Sequence, residues 1–480
     1  MLTLKAKQFL RDAPAWLVSL IIHLVLLLTL ALLSTSTGTV GRVLLTIQQG
    51  NDEQMLEFAE FSIAPVALDD LSADDSMEEV NVEAVIDFDL EPIELATPLE
   101  VVTLATLRDS FGPTDPQLQT KLRKSPSRMF DGRTGTLKKR LLREAGGTAA
   151  TEDAVALGLQ WLKRNQLREG SWSLRGPYNS GARSENEVAA TAMAMLAFMG
   201  AGSTHRGGEY ERELLKAARW LVKQQDRRGF MAARCSGHEQ MYAQAQATIA
   251  LCELYAMTGD SWIRPYAQAS CDFASRAQSP QGGWRYQPRM DSDTSVTGWF
   301  VMGLKSGDVG GLKVDRSVFQ RVSGYLDSVS TSRENDYYGA AGYSYMIGRP
   351  ATPSMTAEGL LCRQYTGWRR NAPGMRNSLD AIVQNHPINM REQDVYYWYY
   401  ATQALHHFGG PIWTRWNDKM KVALPAAQQK RGNEKGSWSP DGDAWGRHAG
   451  RLYTTCLSLY CLEVYYRHMP IYAPEQLAGS

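Results

Sequence analysis

The residues best suited to proton work stand just ahead of apolar stretches. They are Asp291 and Asp293 in Asp291-Ser292-Asp293-Thr294-Ser295, Asp394 before Val395-Tyr396-Tyr397-Trp398, Glu239 behind Cys235-Ser236-Gly237-His238, and His448. A carboxyl group that its surroundings keep protonated can deliver a proton, and an imidazole exchanges one near neutrality. These five are the candidate catalytic groups. A structural use competes with that chemistry: Asp293 stands where a helix over Ser295–Leu304 needs an N-cap to accept from its free N–H groups. The cysteines (Cys235, Cys252, Cys271, Cys362, Cys456 and Cys461) show no C-x-x-C pair or other metal-type spacing, so they read as buried thiols. Neither a metal nor a cofactor is expected. His406 and His407 are adjacent and on a helix point in different directions. Tyr242, Trp299, Tyr365, Tyr396, Trp398 and Tyr453 are the candidate lining of a ligand cavity, because π faces attract cations and tyrosine hydroxyls offer polar contacts. Ordinary packing is the other reading of these rings.

The elements that must position these residues repeat. From Thr151 the pattern becomes helical, with Val155, Leu159 and Leu162 on one face at i, i+4, i+7 spacing. Comparable amphipathic segments recur at about 209–226, 261–278, 313–330, 372–386 and 414–430. Alternating with them are segments that are small and apolar nearly all round: Glu187–Gly200, Met241–Met257, Thr294–Lys305, Thr356–Gly367, Val395–Phe408 and Leu452–Tyr466. A helix apolar on every side is buried on every side. The spacing therefore predicts an all-α (α/α)6 toroid, six inner helices sheathed by six outer ones. The turns share a form as well: Gln160-Trp161…Gly170-Ser171-Trp172, Gln224-Gln225…Gly229-Phe230, Gln278…Gly282-Gly283-Trp284, Gly339…Gly342-Tyr343 and Gln428-Gln429…Gly436-Ser437-Trp438. Glycine lets the backbone leave the helix, and the aromatic packs back on the helix end.

These turns resemble the QW motifs of squalene-hopene and oxidosqualene cyclases and the repeats of protein prenyltransferase β subunits, over about residues 150–470. The resemblance is closest to the membrane-anchored prenyltransferase and squalene oxidase repeat proteins of planctomycete-type bacteria. It implies a reactive mouth where loops enter the inner helices, but the catalytic residues depart from the family's patterns. Set against the cyclase pattern D-x-D-D-T-A, Asp293 matches the last aspartate and Ser292 falls where the proton donor belongs. Of the three zinc ligands of the prenyltransferases only Asp394 has a counterpart, with Tyr396 in the cysteine position and Thr454 in the histidine position. Cys235…Glu239-Gln240 resembles the C-G-E-Q of complement-type thioester domains only loosely, because three residues separate Cys from Glu.

The remainder of the chain reads as a tether. Residues 1–12 form a short N-terminus, and 13–33 an apolar run long enough to cross a bilayer core at ~1.5 Å per residue. Lys5, Lys7 and Arg11 precede that run and only Arg42 closely follows it, which places the N-terminus in the cytoplasm and everything after residue 34 outside. Residues 34–148 read as a charged, mostly disordered linker. Sixteen acidic residues and no Lys or Arg lie between Asn51 and Glu100, and nine basic residues against one Asp between Gln119 and Arg143. The equal totals of 51 acidic and 51 basic residues thus say nothing of partners. The toroid is expected over 149–470, with a tail at 471–480. The expected function is a membrane-tethered toroid binding an apolar or isoprenoid ligand, a glycan or a protein segment, with a possible protein partner at the acidic linker and no nucleic acid. The alternatives are an isoprenoid cyclase or transferase with a relocated acid, and a structural protein of the cell envelope.

Overall fold

The structure, a computed structural model, describes residues 129–331, 341–372 and 374–472. Among the described residues there are helices and isolated bridges but no strands. The segment 13–33, the linker as far as residue 128 and Gly339 of the fourth turn lie outside them. No helix among the described residues is long and apolar enough to cross a membrane.

After a 3-10 turn at Asp131–Arg133 come α1 (Gly135–Glu144) and then twelve helices that alternate in character. The outer helices are α2 (Ala149–Arg164), α4 (Glu211–Gln224), α6 (Arg264–Ala277), α8 (Arg316–Ser328), α10 (Met375–Asn385) and α12 (Gly410–Ala427). Each buries one stripe; in α4 it is Leu214, Ala217, Ala218, Leu221 and Val222, at i, i+3, i+4, i+7 and i+8. The inner helices are α3 (Glu187–Gly200), α5 (Glu239–Thr258), α7 (Thr294–Val309), α9 (Pro353–Tyr365), α11 (Val395–Phe408) and α13 (Gly446–Leu462), followed by the short α14 (Val464–Arg467). Every residue of α7 and α11 is buried, as their all-round apolar sequences require. Each inner helix packs on the next, and α13 packs on α3, so the ring closes.

The turns between outer and inner helices tie each repeat to its neighbour. The indole N–H of Trp172, Trp284 and Trp438 donates to the carbonyl of Leu162, Ala274 and Leu424 near the end of the preceding outer helix, each at 2.8 Å. A glutamine amide in each of these turns bridges the turn's own glycine carbonyl and a carbonyl of the next outer helix: Gln278 reaches Gly282 (2.7 Å) and Val318 (3.0 Å). Two expected members of this pattern shift. In the first turn the bridging residue is Gln166, on Gly170 and Glu213, while Gln160 turns away to Glu209 and Tyr210. In the second turn Met231, not Phe230, occupies the tryptophan position, and its N–H donates to Gln244 where the other turns use a threonine hydroxyl.

The toroid's packing already includes Met129 and Phe130, ahead of the boundary expected at 149. Arg133 is buried across the end of the ring where the inner helices finish: Nη2 pairs with Glu253 of α5 (2.8 Å), Nη1 donates to Met199 O of α3 (3.3 Å) and Nε to Arg467 O (2.8 Å). Arg467 Nη1 pairs with Glu463 at 2.8 Å beside it. This end of the toroid is plugged, and the opposite end carries the site.

Candidate functional site

The first turns of the inner helices converge at the open end. Tyr242 of α5 donates to Ser295 Oγ of α7 (2.9 Å), whose hydroxyl lies 2.5 Å from the Tyr396 hydroxyl of α11. α5 and α11 stand on opposite sides of the ring, so this chain of hydroxyls spans the axis. Tyr396 donates onward to Oε2 of Glu358 in α9 (3.0 Å). Glu358 is fully buried and its Oε1 has no hydrogen-bond partner. Burial pushes this carboxyl well above the usual carboxylate range despite the neighbouring tyrosine hydroxyls. Room for it is made by Gly298 of α7, where a Cβ would come within 2.0 Å of Oε1.

A second relay centres on Asp293. Its Oδ1 caps α7 by accepting from Val296 N (2.7 Å), and its Oδ2 accepts from the Tyr345 hydroxyl (3.0 Å), which meets the Tyr286 hydroxyl at 2.6 Å. Burial pushes Asp293 up to about 7, outweighing these bonds and Arg285 Nε at 3.7 Å. Asp291 instead holds Arg285 in an ion pair (2.5 Å). Asp394 caps α11 through Tyr397 N (2.9 Å) and accepts from Ser354 Oγ (3.1 Å). Beside it Asp443 accepts from Val395 N (2.9 Å), and burial together with the charge of Asp394 pushes Asp443 up to about 6. Glu239 and His448 form a pair at 3.5 Å that raises the imidazole and lowers the carboxyl.

All five candidate acids and bases thus stand at inner-helix entrances, three as local structure and one pair between distant loops. The expected cavity residues divide. Tyr242, Tyr396 and Tyr453 are at the mouth, Tyr453 with its hydroxyl pushed up by burial and by Asp443, Asp394 and Glu358. Trp299 stacks on Tyr399 (5.6 Å, 19°), and Tyr399 meets Tyr460 of α13 at 5.3 Å. α7 and α13 face each other across the ring, so these rings fill the axis behind the mouth. Tyr365 lies toward the plugged end beside His407 (5.8 Å). Trp398 is buried on α11, two residues along from Tyr396 and so on another face. The prenyltransferase-type zinc positions are otherwise engaged: the Tyr396 hydroxyl serves Glu358, and Thr454 Oγ1 donates to Trp438 O (2.9 Å).

Sequence reasoning missed Glu358, Tyr345 and Tyr286. Glu358 did leave a signal, the one carboxylate in the inner-helix segment 356–367. The tyrosines left none, since only the folded loops bring them to Asp293.

No protein-family model matches the sequence, and no curated protein matches it. Similar solved structures include an inactive variant of an α-1,6-mannanase of Salegentibacter in complex with α-1,6-mannotetrose, at 10% identity and TM-score 0.47 over 66% of this chain and 99% of that one. A type II terpene cyclase variant from Scytonema in complex with geranylgeranyl dihydroxybenzoate matches at 12% identity and TM-score 0.45, over 66% and 97%. A mutant unsaturated glucuronyl hydrolase from Streptococcus agalactiae matches at 13% identity and TM-score 0.27, over 72% and 95%. All three lie below 25% identity and below a TM-score of 0.5.

Proposed function

We propose that this chain is a membrane-tethered toroid whose mouth binds a glycan. The reading rests on one observation above all: behind a mouth of hydroxyls and carboxyls the axis is filled by Tyr399 packed between Trp299 and Tyr460. An isoprenoid chain needs a deep dry channel. A sugar needs alternating donors and acceptors with an aromatic face at the surface. Trp445, just ahead of α13, is exposed, and its chain neighbour Gly446 lines a hollow of about 300 Å³ with Ser180, Arg183, Asp441 and Arg447 among others. Residues 13–33 supply the anchor in this reading.

The test is binding of the full-length protein to an array of oligosaccharides, beside a Trp445→Ala variant. Saturable binding to one glycan class, weakened about tenfold by the loss of the indole, is the expected result. Failure of every oligosaccharide at millimolar concentration contradicts the proposal.

A second reading is favoured by the position of Asp293, a buried acid near 7 connected through Tyr345 and Tyr286 to the mouth. In that reading the same mouth performs acid-catalysed chemistry on its ligand, with the tyrosines carrying the proton. Conversion of the bound glycan that persists in Tyr345→Phe rules out that route.

A further inference from the structure

His238 at the start of α5, its neighbour Glu239, and His448 ahead of the kink in α13 bring three donor atoms within 4.8 Å of one another. They come from two loops far apart in the sequence. Gly450 makes the meeting possible. With φ 79° it breaks α13 so that residues 446–449 leave the helix line, and a Cβ there would lie 2.3 Å from Ala182 N. The imidazoles of His238 and His448 lie face to face with centroids 6.5 Å apart, and both residues are exposed. Glu239 Oε1 lies 3.5 Å from His448 Nε2, while Oε2 is buried with no hydrogen-bond partner.

Two imidazoles and a carboxylate are the donors of a zinc site that leaves one position for water. Ligand bonds of about 2.0–2.1 Å in a tetrahedron set the donor atoms roughly 3.3 Å apart. The Glu239–His448 edge is already close to that length, and the His238 donor atom lies within 4.8 Å of the other two. We propose that His238, Glu239 and His448 form a zinc-type divalent-cation site at the mouth, with water as the fourth ligand. The site borders the Asp293 relay, since the His238 ring packs edge-on against Tyr286 at 5.6 Å. It is independent of the identity of the glycan.

The experiment uses the full-length protein in detergent, stripped with a chelator and titrated with Zn2+ against a chromophoric competitor. A His238→Ala/His448→Ala variant is compared with Cys235→Ser and Asp394→Asn. The expected result is one zinc per chain, bound about 100-fold or more weakly by the double-histidine variant and unchanged in the other two. Zinc is also expected to raise the melting temperature of the wild type but not of the double variant, while the metal-free proteins melt alike. Stoichiometric zinc retained by the double variant, or none taken up by wild-type protein of native helix content, overturns the proposal.

Discussion

Asp293 shows how much of a site a sequence can carry and where it stops. Its N-cap role was legible from Asp293-Thr294-Ser295 ahead of an apolar helix, and Val296 N satisfies it. Its complete burial and the Tyr345 bond were not legible, because they depend on a loop more than fifty residues later in the chain. Glu239 and His448 were each legible as mouth residues, but their meeting depends on the kink at Gly450. The burial has a testable consequence. A carboxyl raised from 3.8 to about 7 stays protonated in the folded chain when the unfolded chain has already ionised, so stability falls as pH rises across that interval. At 1.36 kcal/mol per pH unit, the interval from pH 5 to 7 is worth about 3 kcal/mol. The substitution Asp293→Asn keeps a capping oxygen without the ionisation. The stability of this variant relative to wild type is therefore expected to increase by about that amount between pH 5 and pH 8, as read by denaturant unfolding.

At the scale of elements, periodicity served the helices well. The ranges expected for Glu187–Gly200 and Val395–Phe408 coincide with α3 and α11, because caps at Asn186 and Asp394 and a run of buried residues mark both ends. Turn membership was less legible: the glutamine that matters in the first turn is fixed by which carbonyl it reaches, not by its distance from the tryptophan. The ring-closing contact makes the sharpest prediction. Gly436 has φ 99°, and a Cβ on it would lie 2.1 Å from the carbonyl oxygen of Leu157 in α2, so the last turn can dock on the first outer helix only through glycine. Gly436→Ala is expected to cost about 3 kcal/mol or more by thermal unfolding. Gly348→Ala, at φ 80° with open space around it, is expected to cost only the 1–2 kcal/mol or so of the left-handed backbone.

For the whole molecule, the polarity of the toroid follows from what closes each end. One end is sealed by the buried pair of Arg133 on Glu253, with Arg467 on Glu463 beside it, and removing one partner of such a pair leaves the other buried and unpaired. Arg133→Met leaves Glu253 without its 2.8 Å partner and is expected to destabilise by roughly 3–5 kcal/mol, with part of the loss recovered in Arg133→Met/Glu253→Gln. That arginine precedes the first outer helix and sits in what read as linker, because a single buried charge has no periodicity to announce it. The other end is left to the hydroxyls, acids and exposed Trp445 of the entrance loops, and behind them the ring is full. The most direct measurement is equilibrium binding of radiolabelled squalene and farnesyl diphosphate to the full-length protein in detergent. No saturable uptake is expected of the wild type. One-to-one binding of either isoprenoid would contradict a filled ring with a polar mouth.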